Sequence, residues 1–298
     1  MKWQGVFPAI TTPFEPDLSI DHDSLKKHVG AMIDAGCRGV VALGSLGEGQ
    51  TLSKAEKLDI LKTCKQAAGR VPLVAGISAL STPEAVDLAR EAEAIGCEGL
   101  MTLPVYVYRG DWRETEAHFR AVITATNLPC MLYNNPVAYG TDVTPEQIAL
   151  LADLPNLVAV KESSMDVRRV TGIREVLGDR IAIFVGVDDV IVEGIAAGAV
   201  GWIAGLVNAL PRESVRLFDH AMAGRQKETR DLYEWFLPLL RLDTGPKFVQ
   251  LIKLAQQEAG MGSERVRPPR LALAGREREE NLDLIRAALA QRPDAGRA

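Results

Sequence analysis

Three short segments of the sequence carry residues whose chemistry stands out. Lys161 follows three small apolar residues in VAVKESS, Tyr133 lies in PCMLYNNP, and a glycine-rich turn spans residues 44–49. A desolvated lysine loses part of its preference for the charged form, and its neutral amine can attack a carbonyl or imine carbon. A phenol within hydrogen-bond reach of that amine can carry protons to and from a substrate. Lys161 and Tyr133 are therefore candidates for Schiff-base catalysis.

The glycine-rich turn is the third candidate. Its glycines allow a tight bend that aims consecutive backbone N–H groups at an anion, such as a substrate carboxylate. The same turn can present the hydroxyl of Ser45 to Tyr133. Each feature also has an ordinary structural explanation, because Lys161 can pair with a carboxylate or end its strand in solvent. Tyr133 can likewise be a core residue, and the turn a plain loop.

The elements that position these residues are predicted from the hydrophobic pattern. Short apolar runs alternate with longer amphipathic segments from residue 5 to about residue 224, which is typical of repeated βα units and a parallel sheet. Eight strands are predicted, at 5–12, 39–45, 71–78, 98–105, 129–135, 158–163, 181–187 and 200–206. No GxGxxG motif follows the first strand, which favours a closed (β/α)8 TIM barrel over an open doubly wound sheet. In such a barrel the carboxyl ends of the strands carry the functional residues.

Helix boundaries have recognisable signals. Helix starts are predicted at Asp21 or Asp23, at Ser53, at Thr82 before Pro83, and at Thr144 before Pro145. A junction also recurs, in which a helix-ending glycine precedes a second glycine and an apolar strand. It reads AGCRGVVALG at 35–44, IGCEGLMTLP at 95–104 and AGAVGWIAGL at 197–206.

The strand pattern stops after Ala223. Three further helices are predicted in TRDLYEWFLPLLRL, PKFVQLIKLAQQEAG and ENLDLIRAALAQR. We expect residues 1–224 to form the barrel and residues 225–298 to form a C-terminal helical extension that packs on it as part of a single structural unit. We expect this extension to help form a homo-oligomer, specifically a homotetramer. The tail RPDAGRA is expected to be frayed.

The composition argues against several classes of protein. With 47% hydrophobic and 24% charged residues, the chain has the make-up of a soluble enzyme. A net charge of −5 speaks against nucleic-acid binding, and no apolar run is long enough to span a membrane. The N-terminus lacks the features of a signal peptide, so a cytoplasmic location is expected.

Cysteine and histidine spacing argues against a metal site. The four cysteines are spread singly, without CxxC pairs and without histidine at ligand spacing. We expect them to be small buried hydrophobic residues, in neither a disulfide framework nor a zinc site.

These segments together resemble the dihydrodipicolinate synthase / N-acetylneuraminate lyase family from residue 5 to about residue 255. The matching pieces are GVFPAITTPF, GSLGE, YNNP and VAVKESS, together with Gly186 and Ile203 in the last two predicted strands. The resemblance implies a Schiff-base enzyme that acts on a 2-keto acid or cyclic imine and needs no metal or organic cofactor.

The resemblance also implies roles for individual residues. Lys161 corresponds to the Schiff-base lysine, Tyr133 to the proton shuttle, and Ser45 to the hydroxyl that relays protons to it. The backbone amides of Ser45 and Leu46 correspond to the carboxylate site. The other two matching positions, Gly186 and Ile203, correspond to substrate-binding residues, and Tyr106, or alternatively Tyr108, corresponds to a contribution to a neighbouring subunit's relay.

Two departures distinguish this chain from the synthases of that family. Leu46 follows Ser45 where the synthases have a pair of hydroxyl residues, and residues 137–140 read VAYG where they carry an arginine that grips a second carboxylate. With GVDD and LDTGPK, the chain is most similar to the 1-pyrroline-4-hydroxy-2-carboxylate deaminases of hydroxyproline degradation, whose cyclic imine substrate has one carboxylate.

The expected reaction is therefore conversion of that pyrroline to 2,5-dioxopentanoate and ammonia, by a lyase that also acts as a hydrolase. A pyruvate-dependent aldolase like dihydrodipicolinate synthase and a sugar-acid dehydratase are alternatives that use the same lysine. A barrel that binds a keto acid without catalysis is an alternative of another class.

Overall fold

Eight parallel strands form the centre of the structure, a computed structural model that describes residues 2–293. They are β1 (Gly5–Pro8), β2 (Val40–Ala42), β3 (Leu73–Ile77), β4 (Gly99–Thr102), β5 (Cys130–Asn134), β6 (Leu157–Glu162), β7 (Ala182–Val185) and β8 (Gly201–Ala204). The strands pair in the order β1-β8-β7-β6-β5-β4-β3-β2, and a parallel bridge from Ala9 to Val41 joins the two ends. The predicted (β/α)8 barrel is confirmed.

The observed strands are shorter than most of the predicted ones. The first was predicted over 5–12, whereas β1 ends at Pro8. Ile10 still donates to the carbonyl of Val41, and the buried Thr11 and Thr12 lie beyond the sheet. The apolar pattern continues past the sheet because the C-terminal part of the chain covers this end of the barrel. Burial alone therefore could not mark where hydrogen-bonded pairing stops.

Helices surround the barrel and follow its strands. They are α1 (His22–Asp34), α2 (Lys54–Ala68), α3 (Thr82–Ile95), α4 (Trp112–Ile123), α5 (Pro136–Tyr139), α6 (Pro145–Leu151), α7 (Arg168–Leu177), α8 (Ile191–Ala196), α9 (Pro211–Met222), α10 (Gln226–Leu240), α11 (Phe248–Glu258) and α12 (Gly275–Ala290). The last three correspond to the three predicted C-terminal helices. Residues 294–298, in the tail predicted to be frayed, lie outside the described residues.

Most predicted helix starts are confirmed by side-chain caps. Asp21 accepts a hydrogen bond from the backbone N–H of Ser24, and Ser53 and Thr144 each form a capping box. The start predicted at Thr82 is wrong by one residue, because the Ser81 side chain caps α3 and places Thr82 in its first turn.

The recurring glycine junction has the predicted geometry. The helix-ending glycines of its three copies, Gly36, Gly96 and Gly198, have φ angles of +100°, +94° and +108°. A side chain is disfavoured in this region of backbone conformation, so glycine ends the helix at low steric cost. The second glycines at 39 and 201 allow the rings of Phe7 and Phe184 to pack directly on the backbone.

The C-terminal helices are joined to the barrel by a buried ion pair. Lys253 of α11 is 1% exposed, and its Nζ lies 2.6 Å from Oε1 of Glu48 in the loop after β2. The same Nζ donates hydrogen bonds to the carbonyls of Thr12 (2.8 Å) and Arg265 (2.7 Å). The backbone N–H of Arg267 donates to the other Glu48 carboxylate oxygen at 2.9 Å. One lysine thus connects α11 to the segments that follow β1 and β2.

All four cysteines are free and buried, as predicted, and burial raises the pKa of each thiol to about 12. Among residues 2–293, no helix combines the length and the apolar character needed to cross a bilayer.

We predict that Lys253→Met destabilises the protein by about 3–5 kcal/mol, because it leaves the Glu48 carboxylate buried without its principal cation. Lys247→Met is the matched control, since it breaks the half-exposed pair between Lys247 and Glu277 and should cost only about 0–1 kcal/mol. Urea unfolding followed by circular dichroism measures both changes. Equal unfolding midpoints for the two variants would contradict the importance of the Lys253 pair.

Candidate active site

A cavity of about 420 Å³ opens at the carboxyl ends of the strands. Its wall brings together six residues singled out from the sequence: Lys161, Tyr133, Ser45, Leu46, Gly186 and Ile203. The wall also contains residues whose part in the site the sequence did not predict: Asn135, Tyr139, Ser163, Asp243 and Arg270. The predicted positions therefore share one cavity, at the end of the barrel where catalytic residues of this architecture lie.

Lys161 occupies the sixth strand beside Tyr133. The two residues are register partners across β5 and β6, and Nζ of Lys161 lies 4.1 Å from the centroid of the Tyr133 ring. The Lys161 side chain is neither in solvent nor paired with a carboxylate, since the residue is 7% exposed and forms no ion pair within residues 2–293. Lys161 lines the cavity, as nucleophilic attack on a carbonyl bound there requires.

The hydroxyl of Tyr133 is held from its own turn. Nδ2 of Asn135 donates a hydrogen bond to Tyr133 Oη at 2.9 Å. Oδ1 of the same amide accepts the backbone N–H of Ala138 at 2.9 Å and caps the single-turn helix α5. In the sequence, Asn135 was visible only as part of the turn that follows Tyr133.

Ser45 contacts a different tyrosine from the one expected. Its hydroxyl forms a short hydrogen bond with Oη of Tyr139, and Gln50 Nε2 donates to that same oxygen at 3.4 Å. The reason is the path of α5, which returns Tyr139 over the cavity and packs its ring edge-on against Tyr133 at 5.7 Å. Burial, followed by the neighbouring Tyr133, raises the pKa of Tyr139 above its usual range. The direct relay from Ser45 to Tyr133 implied by the resemblance is absent from the described residues.

Tyr106 and Tyr108 have different surroundings. The ring of Tyr106 packs against Tyr139, with centroids 6.1 Å apart. Tyr108 is 59% exposed, and its hydroxyl donates to the carboxylate of Glu114 at 3.1 Å. Of the two alternatives, Tyr106 is therefore the one that adjoins the cavity residues of its own chain.

The glycine-rich turn has the form of an anion cradle. Its last two N–H groups are used internally, because Glu48 donates to the carbonyl of Ser45 and Gly49 to that of Gly44. Within the part of the chain that the structure describes, the N–H groups of Ser45 and Leu46 donate to no protein acceptor. Both are therefore available to a substrate carboxylate.

Two acidic residues lie near the lysine. Asp188 is fully buried and accepts hydrogen bonds from Trp202 Nε1 (2.9 Å) and from the backbone N–H groups of Gly205 (3.0 Å) and Leu206 (2.6 Å). Burial raises the pKa of Asp188 to about 6, although these bonds and Lys161 oppose the shift.

Asp243 has fewer protein partners than Asp188. Within residues 2–293, no side chain donates a hydrogen bond to its carboxyl, which packs on Gly205 so closely that a Cβ there would lie 2.8 Å from Asp243 Cγ. Burial, followed by the charge of Asp188, raises the pKa of Asp243 well above its usual range, and Lys161 opposes the shift. The Asp243 carboxyl can therefore accept a hydrogen bond, or donate one in its acid form, at the cavity wall.

A guanidinium reaches the cavity from an unexpected segment. Residues 137–140 supply none, as the sequence shows, but Arg270 lines the cavity from the chain between α11 and α12. Nη1 of Arg270 lies 3.9 Å from Oε2 of Glu48. A distant segment of the chain thus brings to the cavity wall a guanidinium that the turn after Tyr133 lacks.

Within residues 2–293, no group of three or more histidine, cysteine, aspartate and glutamate side chains is placed to hold a metal ion.

Ser163, two residues after Lys161 in KESS, carries a buried hydroxyl without a protein partner. That hydroxyl is available to a group bound in the cavity.

Gly186 lies beneath the lysine. A Cβ at this position would overlap Ser163 Oγ and would lie 2.5 Å from Lys161 Cε. We predict that Gly186→Ala displaces the lysine and lowers the rate of imine formation with pyruvate by roughly 10²-fold, the cost of a 1 Å error in placing a reacting group. Gly30→Ala is the control, because a Cβ at Gly30 in α1 meets no atom within 4 Å. Equal trapping rates with borohydride in both variants would contradict the prediction.

Comparison with known proteins identifies the family of the chain. Residues 2–288 match the model of the dihydrodipicolinate synthetase family. The chain is 32% identical over 296 residues to the 4-hydroxy-tetrahydrodipicolinate synthase of Methanothrix thermoacetophila, covering 98% of both chains. A dihydrodipicolinate synthase structure from Bacillus anthracis superposes with a TM-score of 0.92 at 26% identity, covering 99% of this chain and all of that one. A prophage protein of the dihydrodipicolinic acid synthase family from E. coli K12, solved with pyruvate, has a TM-score of 0.91 at 25% identity, covering 97% of this chain and 99% of its own. The chain belongs to the dihydrodipicolinate synthetase family.

Proposed function

We propose that the protein is a class I aldolase-type lyase that binds a 2-oxo acid such as pyruvate as a Schiff base on Lys161. The observation that carries this proposal is a buried lysine without an ion pair, placed in a cavity beside the Tyr133 ring. The names of the relatives and the pyruvate complex of one structural relative support the same substrate class.

The proposed reaction begins with the neutral amine of Lys161 attacking C2 of the acid, whose carboxylate is held by the N–H groups of Ser45 and Leu46. Tyr133 gives its proton to the departing oxygen, so that water leaves and a protonated imine and a phenolate remain. The phenolate then removes a proton from C3, and the electron pair of the C3–H bond becomes the C2–C3 double bond of an enamine. The phenol is restored, and the enamine can attack a second electrophile.

The comparisons favour a pyruvate-dependent aldolase of the dihydrodipicolinate synthase type as the complete activity. The relatives carry the name 4-hydroxy-tetrahydrodipicolinate synthase. Arg270 in the cavity wall provides a guanidinium that can hold a carboxylate of the second substrate. The turn at residues 137–140, by contrast, supplies no such group.

A second candidate is the deamination of 1-pyrroline-4-hydroxy-2-carboxylate. The observation in its favour is the Asp243 carboxyl in the cavity wall, which suits a hydroxyl or amine of the substrate, together with the lack of a cation at Ala138. Lys161 would attack C2 of the ring imine and release the ring nitrogen as a primary amine. Loss of the C4 hydroxyl as water and hydrolysis at C5 and C2 would then give 2,5-dioxopentanoate and ammonia, with one water consumed overall. The homo-oligomer and the cytoplasmic location stay predictions.

Borohydride reduction in the presence of pyruvate tests the Schiff base. We expect a stable adduct on the tryptic peptide that contains Lys161, detected by mass spectrometry, and no adduct in Lys161→Arg, because a guanidinium stays protonated and cannot attack carbon. Lys57→Arg is the control, since Lys57 lies on α2 and donates to the carbonyl of Ser78 away from the cavity. An adduct on another peptide would overturn the assignment, and no adduct with any 2-oxo acid or pyrroline would favour a barrel that only binds its ligand.

The choice between the two activities is tested by supplying each substrate set separately. Pyruvate with aspartate semialdehyde should give the condensation product, and the hydroxypyrroline should release little ammonia, if Arg270 grips the second carboxylate. In that case Arg270→Ala should slow condensation by roughly 10- to 10²-fold, because a charge-assisted contact contributes about 1.5–3 kcal/mol. Ammonia release without condensation would instead establish the deaminase, and the Lys161 chemistry would stand in both cases.

A further inference from the structure

We infer that Asn135 is a positioning residue that holds the Tyr133 hydroxyl ready for proton transfer. This inference rests on the proposed Schiff-base chemistry of Lys161. Asn135 is the second asparagine of the YNNP turn that follows β5.

The orientation of the Asn135 amide is fixed by its two contacts. The backbone N–H of Ala138 can only donate, so the atom 2.9 Å from it is the amide oxygen. The opposite atom, 2.9 Å from Tyr133 Oη, must then be the amide nitrogen, which can only donate. The N-terminal cap of α5 thereby determines that Tyr133 receives a hydrogen bond from Asn135 and cannot give one to it.

This direction of donation has a chemical consequence. Because Oη accepts from Asn135, the phenol proton must point to another acceptor, and the cavity that contains Lys161 lies beside it. After the phenol has given up that proton, the Asn135 N–H donates to a phenolate, and hydrogen bonds to a charged acceptor are stronger than neutral ones. One contact thus aims the proton and stabilises the anion that removes the C3 proton.

No other side chain within residues 2–293 donates a hydrogen bond to the Tyr133 hydroxyl. Among the described residues, Asn135 is the only side chain that hydrogen-bonds Tyr133 Oη. Ser45, the partner implied by the resemblance, is hydrogen-bonded to Tyr139 instead. The hydrogen-bond partner of the shuttle therefore comes from its own strand-end turn, at a fixed distance along the chain.

Two substitutions separate this role from helix capping. Asn135→Ser and Asn135→Asp both keep a side-chain oxygen that can cap α5. Serine is too short to reach Tyr133 as the amide does, and aspartate replaces the donor by an acceptor that turns the phenol proton away from the cavity. The measurement is hydrogen–deuterium exchange at C3 of pyruvate in D2O, followed by NMR, beside the final yield of borohydride-trapped Lys161.

We expect exchange to slow by roughly 3- to 10-fold in Asn135→Ser, the effect of one hydrogen bond, and by roughly 10²-fold in Asn135→Asp, towards the effect of losing the acid–base group. The final trapping yield should stay within about twofold of the wild-type yield, since the Lys161 amine is untouched. In a Tyr133→Phe background, Asn135→Ser should have no further effect on exchange, because Asn135 acts through Tyr133.

Ser53→Asp is the control for a change of cap, because Ser53 caps α2 outside the cavity. Exchange at the wild-type rate in both Asn135 variants would overturn the inference. An equal loss of exchange with and without the Tyr133 hydroxyl would also overturn it, since Asn135 would then act by another route. Failure of the wild-type protein itself to be trapped would instead count against the Schiff-base proposal.

Discussion

The buried pair of Glu48 and Lys253 is the interaction on which the rest of the site depends. Glu48 has a φ of +56°, a backbone conformation that is unfavourable in free energy for any residue with a side chain. Its carboxylate is fully buried. Burial lowers the pKa of Lys253 to about 8, and the attraction of Glu48 opposes that shift. A buried charge is tolerated only with good partners, and here two carbonyls and a backbone N–H complete the pair. The bend at Glu48 therefore fixes the path of the turn that presents the Ser45 and Leu46 amides.

The same pair determines what the C-terminal segment brings to the cavity. Asp243 precedes α11 and Arg270 follows it, so the helix that carries Lys253 lies between the two side chains in the chain. Anchoring α11 beneath the loop after β2 places both at the cavity wall, although they lie far from the first barrel strands in sequence. The helical extension thus contributes polar groups to the site, in addition to covering the barrel.

The sequence predicted those features that depend on strand position and missed those that depend on loop paths. Lys161 and Tyr133 could be found because each ends an apolar run, and parallel register places such residues side by side. The contact between Ser45 and Tyr139 could not, because it depends on the path of α5, the four-residue helix that brings Tyr139 to the cavity wall. Arg270 was missed for the same reason, since no local pattern tells which face of the barrel a connecting segment crosses. The strand ends were placed too late because burial at the mouth continues past the last ladder pair.

The two departures from the family's synthases are connected in space. Leu46 removes a hydroxyl from the glycine-rich turn, and the turn after Tyr133 carries Tyr139 near the position of the expected arginine. In the structure the Tyr139 hydroxyl forms a hydrogen bond with Ser45, the neighbour of Leu46. The turn after β5 thus supplies a hydroxyl beside the position where the glycine-rich turn lacks one. Since Ser45 is then engaged, Tyr133 takes its hydrogen bond from Asn135 of the same turn as Tyr139. Asn135 and Tyr139 therefore let one turn, the one after β5, supply a hydrogen-bond partner both to the shuttle Tyr133 and to Ser45 of the cradle.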